Sequence, residues 1–459
     1  MREPRTRIRL LSHPSPRPRR PHRSRGFTLV ELVVGLTVAT ILLIALYQVF
    51  ESNSALARTQ TDVADMQQSA RIAQTEMARL VRMAGRGGLQ EFVLNGGVLL
   101  TPAIEVRDNA ATGGDTEPAE IAPGWADSPQ LIVGTDVLTV RGVFTSPLYQ
   151  INNANPAFYT LFDASGVPTT DAQQAVTGRI VVTDPSPAGI PQDLTALIET
   201  IDPGDGSAVP EALVIASPVD ESIYGVVELD TDNSSYGPGQ VTLSFKIQGG
   251  NHTDSYRDLY VSGSGGAPIL PQALSAVSQV GILEEYRFYI RDGLPNPTLS
   301  MARMLPGTQV PHGGQITAAQ LDIADNVVDL QVALGFDTDL GEALIDRNGD
   351  GRVDENDVVI TERDDGQNDD WLFNSAQDDP GASPWVPPWS DDPLAGFPPQ
   401  PELYYVRINT LARTQSFERN YQSPTVAPIE DNDPSEFNSF DERRFRRQLL
   451  QTIVDLRNI

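Results

Sequence analysis

The sequence predicts an α+β protein: one long N-terminal helix, then a mainly antiparallel β domain with long loops. Three observations carry that prediction. Residues 27–50, FTLVELVVGLTVATILLIALYQVF, hold a single charge, Glu31. No proline interrupts the chain from Phe27 to Leu100. Beyond residue 88, apolar and β-branched runs alternate with Gly, Pro, Asp and Asn.

The helix begins as an apolar span. At 1.5 Å per residue, residues 27–50 reach about 36 Å, enough to cross a hydrocarbon core of roughly 30 Å. Residues 1–26 carry nine Arg and one Glu, a net +8, so the remaining chain carries −36 of the total −28. The positive-inside rule places residues 1–26 in the cytoplasm and the acidic bulk outside.

An ordinary secretory signal carries its small-residue cleavage site after the apolar run. Here the small residue, Gly26, precedes the run. Cleavage between Gly26 and Phe27 leaves the apolar segment on the mature chain with a new amine at Phe27. The alternative is an uncleaved signal anchor. Glu31 weighs against that alternative. A carboxylate near the centre of an apolar span costs on the order of 2–3 kcal/mol, and less near its end. Glu31 lies four residues after the new amine. Pairing the two, within a subunit or between neighbours, removes two unpaired charges from lipid. Between neighbours the pair sets an axial step.

The second half of the helix is amphipathic. Leu56, Val63, Met66, Ala70, Ala73, Met77, Leu80 and Ala84 recur at seven-, three- and four-residue spacings. The stripe fits packing on a sheet, with a free coiled coil as the alternative. Gly85-Arg86-Gly87-Gly88 ends the helix near residue 84. Strands are expected at 131–144, 178–183, 211–216, 223–229, 240–247, 280–291, 325–336, 402–413 and 446–457. Long loops are expected at 101–125, 145–175, 186–210 and 361–401, the last acidic and carrying Trp371, Trp385 and Trp389. The chain thus divides into 1–26, a basic leader; 27–50, a transmembrane helix; 51–88, its amphipathic continuation; and 89–459, an exported globular domain.

Composition narrows the chemistry. There is no Cys, one Lys (Lys246), and only His252 and His312 beyond the leader. Disulfides, thiolate metal sites and Cys nucleophiles are excluded. The acidic bulk repels phosphate backbones and excludes nucleic acid as its partner. No phosphate-binding loop or zinc-protease motif is present, and an enzyme is not expected.

Residues 346–357, DRNGDGRVDEND, carry oxygen donors at the spacing of a calcium loop. Asp346, Asn348, Asp350, Asp354 and Asp357 stand at positions 1, 3, 5, 9 and 12, Gly351 at the sharp turn, and Arg352 offers its carbonyl. The expected role of Ca2+ is structural, holding a long acidic loop in a chain without disulfides. A metal-free acidic turn is the alternative.

The segment Arg25-Gly26-Phe27-Thr28-Leu29-Val30-Glu31 resembles the cleavage and methylation motif of type IV prepilins and type II secretion pseudopilins. That resemblance implies cleavage after Gly26 by a prepilin peptidase and methylation of the Phe27 amine. It assigns Glu31 the recruitment and alignment of subunits. It implies assembly with other major and minor pilins, residence in the inner membrane, and then a place in a filament at the cell surface. A narrower resemblance, to the PilW-type minor pilins, rests on Arg82-Met83-Ala84-Gly85, Val327-Val328-Asp329-Leu330-Gln331-Val332, Gly335-Phe336-Asp337-Thr338-Asp339, Val406-Arg407-Ile408-Asn409 and Thr452-Ile453-Val454-Asp455-Leu456-Arg457-Asn458. The alternatives are a J-class pseudopilin, a group usually much shorter, and a filament-borne adhesin using the large loops.

Overall fold

The structure is a computed structural model. It describes residues 28–87, 103–107, 132, 134–151, 159–169, 175–202, 211–216, 224–246, 278–291, 296–306, 311–312, 319–337, 371–373, 402–418, 421–430 and 437–456. Contacts divide the chain into two units, Met1–Thr61 and Asp62–Ile459.

Helix α1 runs Leu29–Val81 and contributes to both units. In the first unit its large apolar side chains are exposed throughout, as for Leu36, Leu43 and Phe50. In the second unit Met66, Ala70, Ala73, Met77, Leu80 and Val81 are buried. The expected apolar stripe therefore becomes a packing face from Val63 onward. Leu56, counted in that stripe, is instead 57% exposed.

The helix ends where the glycines require it. Gly85 and Gly87 take φ of 76° and 113°, values that glycine alone adopts at no steric cost. A Cβ on Gly87 would also stand 2.7 Å from Val214 Cγ1. The same turn is stitched to the sheet, since Gly85 N donates to Arg141 O at 3.0 Å and Val143 N to Arg86 O at 2.9 Å.

The strands are β1 (Ile104–Arg107), β2 (Val137–Gly142), β3 (Tyr149–Gln150), β4 (Tyr159–Asp163), β5 (Pro168–Thr169), β6 (Ala175–Thr183), β7 (Ala212–Ala216), β8 (Tyr224–Gly237), β9 (Gln240–Lys246), β10 (Gln279–Arg291), β11 (Thr298–Met304), β12 (Gln320–Asp325), β13 (Val327–Asp337), β14 (Trp371–Phe373), β15 (Glu402–Arg413) and β16 (Arg447–Asp455). A short helix, α2 (Thr195–Ile201), lies between β6 and β7. Their ladders are antiparallel, so the α+β expectation stands. One sheet follows the order β1-β2-β10-β7-β8-β9-β6-β4-β5, with β3, β11 and β12 attached beside it. Strand β10 joins its two parts. Gln279–Leu283 pairs with β7, while Glu284–Phe288 pairs with β2. The second sheet follows the order β14-β13-β15-β16.

The loop expectations need correction. Residues 101–125 contain β1, 145–175 contain β3, β4 and β5, 186–210 contain α2, and 361–401 contain β14, paired with β13. These strands are short, with two to five residues each. At that length, alternation is too brief to stand out from a polar loop. The strand expected over 325–336 is β13, Val327–Asp337; β12, which precedes it across Asn326 with φ of 63°, was not expected. Strand β11 was not expected at all.

One core cluster joins α1 to both sheets. Ala73, Met77 and Leu80 pack with Leu138, Val140 and Phe288 of the large sheet and with Val332, Ile408 and Val454 of the small one. Its buried charges are matched. Glu285, fully buried, meets Arg141 at 2.5 Å and Arg287 at 2.5 Å, and Arg141 also meets Glu105 at 2.6 Å. Removing one partner of such a pair strands the other charge in a dry interior, which is where its structural weight lies.

Candidate functional site

The first half of α1 is a surface with no polar face. From Leu32 to Phe50 the sequence holds no charged residue. Its Leu, Val, Ile, Tyr and Phe side chains are all more than half exposed, from 51% at Val38 to 78% at Leu29. The two threonines in the span hide their hydroxyls within the helix. Thr37 Oγ1 donates to Val33 O and Thr40 Oγ1 to Leu36 O, each at 2.8 Å. Each backbone and side-chain donor so satisfied costs nothing further in an apolar solvent. By length and apolarity the helix can cross a membrane.

The start of the helix is built by Thr28 and Glu31. Thr28 N and Oγ1 both donate to Glu31 Oε2, at 2.9 and 3.0 Å, and Glu31 N donates back to Thr28 Oγ1 at 3.2 Å. This is a capping box, in which the first residue and the third of the opening turn satisfy each other's orphan donors. Leu32 N closes the first helical bond to Thr28 O at 3.1 Å. Glu31 thus has a local structural role beside any role between subunits. Both Thr28 bonds fall on Oε2, which leaves Oε1 for a second donor. The Thr-x-x-Glu spacing that announces the box is visible in the sequence.

The remaining expected site residues divide simply. Gly26 and Phe27, the residues of the expected cleavage and methylation, lie outside the described residues. So do Asp346, Asn348, Asp350, Arg352, Asp354 and Asp357 of the calcium loop, and the segment 374–401 with Trp385 and Trp389. His312 is placed. Its Nε2 meets Glu211 Oε1 at 2.5 Å, and Arg303 Nη2 meets the same carboxylate at 3.2 Å. His312 and Arg303 thus share the Glu211 carboxylate.

Residues 21–47 match the family model described as the prokaryotic N-terminal methylation motif. The matched stretch spans the end of the basic leader, Gly26, Phe27, the Thr28–Glu31 cap and most of the exposed apolar run. The match supports a type IV pilin-like or pseudopilin role, with processing by a peptidase and assembly with other pilins. An apolar helix behind such a motif is consistent with anchoring in a membrane and later residence in a filament. No curated protein and no solved structure matches the chain.

Proposed function

We propose that the chain is a minor pilin of the PilW type, a non-enzymatic subunit that enters a type IV pilus or primes its assembly. The observation that carries this reading is the contrast within α1. An unclothed apolar half stands behind a methylation motif, and a half that carries an acidic β body follows it. In this reading the leader is cytoplasmic. A prepilin peptidase cuts between Gly26 and Phe27 and methylates the Phe27 amine. The apolar half then holds the subunit in the inner membrane until other pilin helices replace lipid around it. Glu31 stays capped by Thr28 through Oε2 and offers Oε1 to the Phe27 amine of a neighbour. Two opposite charges meeting in an apolar layer attract far more strongly than in water, so the pair fixes register.

The test is Glu31→Ala in the native host, beside a deletion of the gene. The deletion is expected to leave sparse or no surface pili with normal protein secretion. Blocked secretion with normal pili would instead assign the chain to the J-class pseudopilins. Glu31→Ala is expected to reach the membrane in wild-type amounts and to fall about tenfold or more in sheared filaments, the fold-change of a roughly 1.4 kcal/mol loss. Incorporation equal to wild type would refute the charge pairing.

Calcium enters the proposal through sequence spacing. Asp346, Asn348, Asp350, Asp354, Asp357 and the Arg352 carbonyl would hold one Ca2+ as a structural crosslink. Millimolar calcium is expected to raise the melting temperature of the full chain in detergent, and Asp346→Ala with Asp350→Ala to abolish the rise. A wild-type chain indifferent to calcium removes the site.

A further inference from the structure

We draw no further inference here: the strongest candidate, the outer edge of the four-stranded sheet at β16 with Leu449 and Ile453 exposed, carries nothing because nothing in the structure shows what covers it.

Discussion

The two halves of α1 share a backbone conformation and differ in everything around it. From Leu29 to Phe50 each large apolar side chain is at least 51% exposed. From Met66 to Val81 the inward residues are at most 5% exposed among the apolar ones. Apolarity alone does not make that difference, because both halves have it. The difference is the second face. Beyond Phe50 charged residues return on the helix, Glu51, Arg58, Asp62 and Asp65 among them, and give it a side that tolerates water. Before Phe50 there is no such side, so the first half needs a surrounding medium that is apolar all round. Lipid and the helices of other subunits both meet that need, which is why one segment can serve as anchor and later as filament core.

The comparison can be broken most sharply by truncating one large side chain in each half. Met77 is fully buried among Leu138, Phe288 and Val332. Met77→Ala is expected to destabilise the second unit by about 2–5 kcal/mol through lost burial and the cavity left behind. Leu43 is 65% exposed. Leu43→Ala is expected to change the stability of the second unit by less than about 0.5 kcal/mol. Its effect appears in partition to membranes, weakened by about 2 kcal/mol for the apolar area removed. Denaturant titration in detergent reads the first quantity and vesicle flotation the second. A large loss of second-unit stability in Leu43→Ala would erase the distinction.

Much of this arrangement was legible in the sequence, because periodicity records which side of an element meets a partner. The buried stripe Met66, Ala70, Ala73, Met77 and Leu80 could be read from its spacing, and the glycines after it from their backbone freedom. Strand β15 was expected over 402–413 and is found at Glu402–Arg413. Short strands such as β3 and β5 were not legible, since two residues carry no period. Leu56 continues the stripe in spacing while lying outside the packed region, and spacing cannot say where a partner sheet stops. At the proposed site the Thr28–Glu31 box was written in four consecutive residues. The stacking of Arg444 on Phe417 and Phe440 was not legible, because its members are brought together by a chain reversal between β15 and β16.

A smaller effect sharpens the same comparison at its polar residues. In the first half Thr37 and Thr40 satisfy their hydroxyls on carbonyls of their own helix. In the second half Gln74, only 7% exposed within the apolar stripe, spends its amide on the sheet. Its Nε2 donates to Leu450 O at 2.7 Å and to Thr410 Oγ1 at 3.1 Å, with Ile408 O at 3.3 Å, and its Oε1 accepts from Thr452 Oγ1. Leucine has nearly the same volume and no hydrogen-bonding capacity. Gln74→Leu therefore leaves the packing near its native density and strands the Leu450 carbonyl and two threonine hydroxyls. The expected cost is about 1–3 kcal/mol, the range for buried groups left without partners. Thr37→Val, which removes a bond internal to the helix, is expected to cost less than about 0.5 kcal/mol. Hydrogen exchange at the β16 amides separates packing from polar registration. Faster exchange in Gln74→Leu, with Met77 still buried, means that the glutamine sets where the helix sits along β15 and β16. Unchanged exchange and unchanged stability would mean that the alanine stripe fixes that position by shape alone, and that the polar contrast between the two halves has no energetic consequence.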